Sequence, residues 1–439
     1  MNLLPSFKLS SINIHNLLLA FIPISFIAGN LLININIILI IIVALSFYKK
    51  EIFTQKLYFL DKLIISFFFL ILFTGIFNDL NFFITELYSN GINTIIKSIL
   101  FLKYLILYFV IRFLVEKNKI DLKYFFLSCT IFTLFVSFDL FYQFLTGADI
   151  FGYKVIETGR KLSGPFGDEY IAGSYLQRFS VFSFFIFSLF YKNKYKNLEK
   201  FLVPFFFVIF LLAILISGNR MPLILFIFLI CVIIVFQKST KKYFLPFVIA
   251  SSIIFYIVIS VNSEVKTNFK NFYLQLSQMS SLVLDNTLGD ESVPEYFKQF
   301  STFYDTWLMN KYIGGGIKNF RYYCHERPNI DPNSKLVCNM HPHNYYLEVL
   351  TETGLVGFVI IIFIFANTLY ISFFKKYFFS SPLKDNKIMV PFLFLFITEI
   401  FPIKSSGSFF TTGNTTFLIL VMGILIAICR KENLIENKF

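Results

Sequence analysis

Apolar segments, most of them close to the length of a membrane-crossing helix, recur along the whole chain and are separated by polar stretches. A helix needs about 20 mainly apolar residues to cross a bilayer. Twelve segments meet this pattern, at residues 12–28, 31–48, 63–78, 97–115, 122–146, 172–191, 201–217, 221–237, 243–262, 342–373, 388–403 and 411–429. The pattern predicts an all-α polytopic membrane protein with about twelve transmembrane helices.

Two polar segments, about 147–171 and 263–341, are too long to be simple turns. Loops of this length are often functional. The longer one contains two amphipathic stretches, each with apolar residues on one helical face: Phe269, Phe272, Leu276, Met279 and Val283 in the first, and Val293, Phe297, Phe300, Tyr304, Trp307 and Leu308 in the second. We therefore divide the chain into N-terminal helices (1–159), helices with arginine motifs (160–262), a loop domain (263–341) and C-terminal helices (342–439).

The composition agrees with a membrane protein and excludes a soluble enzyme. Hydrophobic residues make up 56% of the chain and charged residues 15%, against about 25% charged in soluble domains. The net charge is +13, from 39 Lys and Arg against 26 Asp and Glu. Most of these cations fall in alternate loops, which predicts cytoplasmic termini and places the two long polar segments outside. The charge is thus a topology signal, and we expect no nucleic-acid partner.

Arg220 and Lys404 do not follow this pattern, because both fall in outside turns. Arg220 lies in the turn Ser217-Gly218-Asn219-Arg220, and Pro222 suits the first turn of the helix that follows. Free N–H groups at a helix N-terminus, together with a guanidinium, can bind an anion. We therefore predict an anion-binding role for Arg220.

His341 and His343 lie at the start of the apolar segment 342–373, and Asn344 is a helix-start signal. A histidine at a helix N-terminus is held towards its neutral form by the helix dipole. Neutral imidazole is the form that a general base requires. The alternative is a histidine that only caps or packs.

Three more cations precede or enter the sixth apolar segment. Arg160 and Lys161 open the stretch Arg160–Tyr170, which contains Leu-Ser-Gly-Pro-Phe-Gly. Arg178 lies inside the segment itself, where an arginine is a functional candidate or reaches back to the interface. We predict that all three cations bind the substrate.

Cys324 and Cys338 are the two cysteines of the long outside segment. An oxidising compartment would permit a disulfide between them. The alternative is a zinc site with His325 and His341 or His343, although the spacing fits no standard zinc template.

The motifs together resemble the O-antigen ligase / Wzy O-antigen polymerase superfamily. The resemblance rests on four features: His343-Asn344 followed after nine residues by Gly354-Leu355-Val356-Gly357; the Ser-Gly-Asn-Arg turn; Trp307 with Gly314-Gly315-Gly316; and Leu-Ser-Gly-Pro-Phe-Gly. The predicted spans, with a large loop between the ninth and the tenth, match that family's topology. The similarity is clearest between residues 160 and 360.

The resemblance implies a GT-C-like helical fold in the bacterial inner membrane, with the active site facing the periplasm. It implies metal-independent transfer, without a cofactor, of a glycan from undecaprenyl pyrophosphate to a hydroxyl of lipid A–core. It carries over to Arg220 as a pyrophosphate ligand and to His343 as the base. From charge and position we add Arg160, Lys161, Arg178 and His341, with Asn344 and Trp307 as further substrate contacts.

Other functions remain open at this stage. A polymerase that joins lipid-linked glycans, or a protein oligosaccharyltransferase, would share the same donor and site. A polysaccharide transporter or flippase is the alternative of a different class. Transporters concentrate ionisable groups near the bilayer midplane, whereas most candidate groups here gather on one face, which favours an enzyme.

Overall fold

The chain folds into a bundle of α-helices. The structure, a computed structural model, describes residues 11–85, 93–155, 161–191, 196–237, 244–261, 295–326, 342–378, 387–402 and 407–436, together with Cys338, Lys404 and scattered positions between 263 and 277. Among these residues there is no β-strand, and a single antiparallel bridge joins Ala148 to Lys154. The predicted all-α class is confirmed for this part of the chain.

The first helices are α1 (Ser11–Ala20), α2 (Ile22–Ala28), α3 (Asn30–Phe53), α4 (Phe59–Thr85), α5 (Asn93–Phe101), α6 (Lys103–Glu116), α7 (Leu122–Thr146), α8 (Ala172–Phe179) and α9 (Ile186–Tyr191). The later ones are α10 (Lys196–Ile216), α11 (Arg220–Phe236), α12 (Phe244–Val261), α13 (Glu295–Met309), α14 (Phe320–Tyr323), α15 (Tyr345–Leu369), α16 (Met389–Glu399) and α17 (Thr412–Glu436). Short 3₁₀ turns lie at Gly164–Phe166, Ser180–Phe184 and Cys324–Glu326, and a π-helical stretch, Tyr370–Phe378, continues α15.

The helices agree with the predicted apolar segments in position, and differ from them in continuity. Among the described residues, six helical stretches are long and apolar enough to cross a membrane, and five shorter apolar helices accompany them. The predicted segment 172–191 is divided into α8, a 3₁₀ turn and α9. Pro23 in the first turn of α2 similarly separates that helix from α1. The exact number of crossings, predicted to be twelve, and the GT-C-like arrangement stay predictions.

Large apolar side chains point outward from the bundle, as lipid contact requires. Leu31, Phe69 and Phe138 are among the many that are more than half exposed. A soluble protein rarely exposes so much contiguous apolar surface. The outer face is therefore the surface that meets the membrane.

Helix α17 is the centre of the bundle. Every residue from Thr415 to Arg430 is buried, and α17 packs against α3, α6 and α16. A helix that is apolar all round is expected to be enclosed by other helices. Gly423 lets α6 approach closely, because a Cβ there would lie 3.3 Å from Cγ2 of Ile111.

A buried ion cluster closes one end of α17. The Asp61 carboxylate lies 2.7 Å from Nη1 of Arg112 and 3.1 Å from Nη1 of Arg430. It also accepts a hydrogen bond from the Tyr108 hydroxyl at 2.8 Å. Its charge balances the two guanidiniums, together with Glu116, whose Oε1 is 3.3 Å from Nε of Arg112. This end of the bundle lies far from the predicted site residues.

Candidate functional site

The opposite end of the bundle carries the predicted site residues, and we call it the His343 end. It is formed by the N-termini of α11, α15 and α17, the C-terminus of α16 and the residues next to them. Asn414, at this end, and Arg430, in the ion cluster, are 16 residues apart on α17, which corresponds to about 24 Å at 1.5 Å per residue.

His343 lies immediately before α15 and is partly buried. Its φ is +55°, an uncommon value for a residue other than glycine. Asn344 begins the helix as predicted, because its Oδ1 accepts hydrogen bonds from the N–H groups of Tyr346 and Leu347 at 3.0 and 3.1 Å. The histidine is thus held on the turn that starts α15.

The surroundings of the His343 imidazole favour its neutral form. Burial lowers its pKa below the usual 6.5, and the nearby positive charge of Lys161 lowers the pKa further. Lys161 itself is exposed. The structure therefore brings these two predicted residues together, with the electrostatic environment that a base operating near neutral pH requires.

The Ser217–Arg220 turn adjoins the segment that carries Lys161. The N–H of Leu162 donates to the carbonyl of Ser217 at 3.3 Å. Asn219 precedes α11, but its side chain turns back to Ser217 Oγ at 3.2 Å and does not cap the helix. The first-turn N–H groups of α11 and the partly exposed Arg220 consequently lie at the His343 end.

Arg178, which the sequence predicts to bind the substrate, is buried among protein partners. It is 8% exposed, and its guanidinium binds Glu399 through Nε–Oε1 at 2.8 Å and Nη2–Oε2 at 3.1 Å. Nη2 also donates to Oδ1 of Asn414 at 2.7 Å. Nε and Nη2 of Arg178 thus have protein partners, and a pyrophosphate contact by this residue stays a prediction.

Lys404 completes this buried group. Its ammonium binds Oε2 of Glu399, and burial lowers its pKa to about 8 against the opposing pull of Glu399. Glu399 and Asn414 are not among the residues predicted from the sequence. Lys404 could be noticed in the sequence, because it is one of the two cations that fall in predicted outside turns.

Between α16 and α17, the described residues of the range 400–409, namely 400–402, 404 and 407–409, contact the start of α15 at three points, and we call them the 400–409 segment. Asn344 Nδ2 donates to the carbonyl of Pro402 at 2.9 Å, and the Tyr346 hydroxyl donates to the carbonyl of Ile400. The buried Glu348 carboxylate accepts from Ser408 Oγ and, at 2.6 Å, from the N–H of Phe409. These contacts fix the helix start beside His343.

The segment Gly314–Gly316 packs against α15 at Gly354, and we call this contact the glycine interlock. Gly354 interrupts α15 with φ +66° and ψ −173°, a conformation that is essentially restricted to glycine. Gly315 and Gly316 donate their N–H groups to the carbonyls of Thr351 and Glu352 at 3.0 and 2.8 Å. A Cβ at Gly314 would lie 2.5 Å from backbone atoms of α15.

At this break, α15 also donates backbone hydrogen bonds to the loop after α13. The N–H groups of Leu355 and Val356 donate to the carbonyls of Lys311 and Tyr312 at 2.8 and 3.3 Å. The backbone groups that the interrupted helix frees are thereby satisfied by the loop. The interlock ties the loop after α13 rigidly to the helix that begins at His343.

Of the three remaining predicted residues, the structure describes Trp307. Trp307 is on α13, which confirms a helix over the described part of the second amphipathic stretch. Its indole N–H donates to the carbonyl of Lys311 at 2.9 Å. Arg160 and His341 lie outside the described residues, as does most of the first amphipathic stretch.

Cys324 and Cys338 form a disulfide, with their Cα atoms 5.8 Å apart. Bonded sulfurs cannot act as thiolate ligands, so the zinc alternative with these two cysteines is wrong. Within the described ranges, no three His, Cys, Asp or Glu residues are grouped closely enough to hold a metal ion.

The fold and site define a class: a helical membrane protein whose histidine and cations gather at one end of the bundle. Residues 205–362 match the family described as O-Antigen ligase. The match contains Arg220, the glycine interlock and His343, and it confirms the resemblance to the O-antigen ligase superfamily over this region. It indicates an O-antigen ligase-type function in the membrane. No curated protein matches the chain significantly.

Proposed function

We propose that the protein transfers a glycan from a polyprenyl pyrophosphate to an acceptor hydroxyl, at the periplasmic face of the bacterial inner membrane. The acceptor is lipid A–core. The observation that carries the proposal is the juxtaposition of a half-buried histidine with Lys161, next to the turn that bears Arg220. A base and cations at one end of a lipid-embedded bundle suit a lipid-linked anionic donor.

Each group has one task in the proposed reaction. The acceptor oxygen attacks the anomeric carbon of the donor sugar, and its proton passes to the neutral imidazole of His343. The bond between the anomeric carbon and the phosphate oxygen breaks, and the pyrophosphate leaves with the electron pair. Arg220 and the first-turn N–H groups of α11 stabilise the charge that develops on this leaving group.

The histidine is tested by His343→Ala, with His325→Ala as the matched control. His325 is an exposed histidine beside the disulfide. With purified protein, lipid-linked donor and acceptor, His343→Ala is expected to lower the rate of transfer by about 100- to 10,000-fold, whereas His325→Ala retains it. Wild-type transfer by His343→Ala would exclude the base role.

Arg220 is tested by Arg220→Lys, because a lysine cannot reproduce two-pronged binding to phosphate oxygens. Losing a hydrogen bond to a charged group costs about 1.5–3 kcal/mol, which is about 10- to 100-fold in kcat/KM for the donor. Normal kcat/KM in this variant would contradict the pyrophosphate assignment.

The acceptor is identified by deleting the gene and separating the glycolipids on a gel. A ligase predicts that lipid A–core loses all polymer while polymer accumulates on the polyprenyl carrier. Retention of a single repeat on lipid A–core would instead indicate a polymerase.

A further inference from the structure

The backbone of His343 is held in a conformation that its own residue type disfavours. Its φ of +55° lies in the left-handed region. A residue with a Cβ adopts this region at a cost of about 1–3 kcal/mol, and the surrounding contacts must maintain it. The question is which contacts do so.

Both polar atoms of the Asn344 side-chain amide make hydrogen bonds within the protein. Oδ1 caps α15, while Nδ2 donates to the carbonyl of Pro402 at 2.9 Å. The second bond reaches 58 residues along the chain to the 400–409 segment. The peptide that follows His343 is therefore positioned by this segment as well as by its own helix.

The 400–409 segment is anchored in turn at Glu399. This carboxylate is 1% exposed and lies between two buried cations, Arg178 and Lys404. Asn414 extends the group, because its Oδ1 accepts from Arg178 and its Nδ2 donates to the carbonyl of Ser408 at 2.7 Å. The segment is thus tied down at both of its ends.

We propose that Glu399 is a positioning residue for His343, and that it acts through the 400–409 segment and Asn344. This inference rests on the proposed function, in which His343 accepts a proton. In this arrangement Arg178 binds and orients Glu399, and Arg220 keeps the pyrophosphate role of the proposed function.

Asn344→Ser keeps the helix-capping interaction of Asn344 and removes its hydrogen bond to Pro402. Serine caps a helix about as well as asparagine, but its short hydroxyl does not reach the carbonyl of Pro402. Misplacement of a reacting group by about 1 Å can cost about 100-fold in rate. We expect kcat to fall by about 10- to 100-fold, while KM for the donor stays unchanged.

Glu399→Gln keeps the shape of the side chain and removes its charge. The same fall in kcat is expected. The acid limb of the pH–rate profile should also move up towards the usual histidine value of 6.5, because a loosened His343 becomes better solvated. Lys161 is unaltered in this variant, so its charge does not cause the shift.

Asp61→Asn is the matched control, since it removes a buried carboxylate between two arginines at the other end of α17. It should lower thermal stability and leave kcat per folded molecule and the acid limb unchanged. An acid limb that moves equally in Asp61→Asn and Glu399→Gln would show that general loosening is responsible, and would overturn the proposal.

The double variants separate this proposal from the proposed function. In the His343→Ala background, Asn344→Ser and Glu399→Gln should reduce the residual rate no further, because they act through the missing side chain. Wild-type kcat in Asn344→Ser would overturn the positioning role even where His343→Ala is inactive. Wild-type kcat in His343→Ala would instead overturn the proposed function. If Glu399→Gln does not fold, Asn344→Ser decides the question.

Discussion

Arg178 and Glu399 form a two-pronged ion pair in the interior of the bundle, with Nε–Oε1 at 2.8 Å and Nη2–Oε2 at 3.1 Å. The two residues are 221 positions apart in the chain. Their pairing joins α8 to the end of α16, immediately before the 400–409 segment. Arg178, which the sequence suggests as a substrate ligand, therefore has Glu399 as a structural partner.

Breaking this pair should cost stability as well as activity. Removing one partner of a buried ion pair typically costs about 3–5 kcal/mol, because the other charge stays buried and unpaired. Arg178→Ala is therefore expected to lower the thermal unfolding midpoint in detergent. Lys154→Ala removes an exposed cation and should leave that midpoint nearly unchanged, because surface charges contribute little to stability. Equal midpoints for the wild type and Arg178→Ala would contradict a structural role for the pair.

Transfer should remain active at pH values somewhat below 6.5. Burial and Lys161 both lower the pKa of His343, so the neutral imidazole persists in this range and is lost only as the pH falls through the lowered pKa. Lys161→Met removes a positive charge and should move the acid limb of the pH–rate profile upward. Lys161→Arg is the control and should leave it in place. A downward movement in Lys161→Met would refute the electrostatic coupling.

Gly354 should tolerate no side chain. A Cβ there would overlap the backbone of Tyr312 and Ile313, and the backbone conformation itself is disfavoured for other residues. Gly354→Ala is expected to prevent accumulation of folded protein in membranes. Gly413→Ala, where the nearest atom to a Cβ is 3.6 Å away, is the control and should accumulate like the wild type. The measurement is the yield of monodisperse protein after extraction, and equal yields would contradict the interlock.

The disulfide should stabilise the loop domain. A bridge that closes a loop of about 15 residues contributes about 3 kcal/mol on a chain-entropy argument, and Cys324 and Cys338 are 14 positions apart. Cys324→Ser, or a reducing agent, is expected to lower the unfolding midpoint of this domain. Cys231→Ser removes a free cysteine and should leave the response to the reducing agent intact. If the reducing agent does not change the unfolding midpoint of the wild type, this expectation is contradicted.

The sequence by itself determined the helical class, the positions of the apolar segments and the histidine and arginine motifs. Hydropathy and helix-start signals are properties of neighbouring residues, so Asn344 could be predicted as the start of α15 from its local context alone. The breaks within the predicted segments were harder to foresee. At residues 172–191 the apolar composition continues through a 3₁₀ turn that tertiary packing selects.

Only the tertiary structure decided which distant residues meet. The glycine interlock depends on backbone groups of two segments about 40 residues apart, and its hydrogen bonds leave no pattern in side-chain hydropathy. Glu399 lies at the end of an apolar segment and resembles an ordinary helix-terminal carboxylate in the sequence. Its importance arises from Arg178 and Lys404, because a buried charge is stable only where folding brings oppositely charged partners to it.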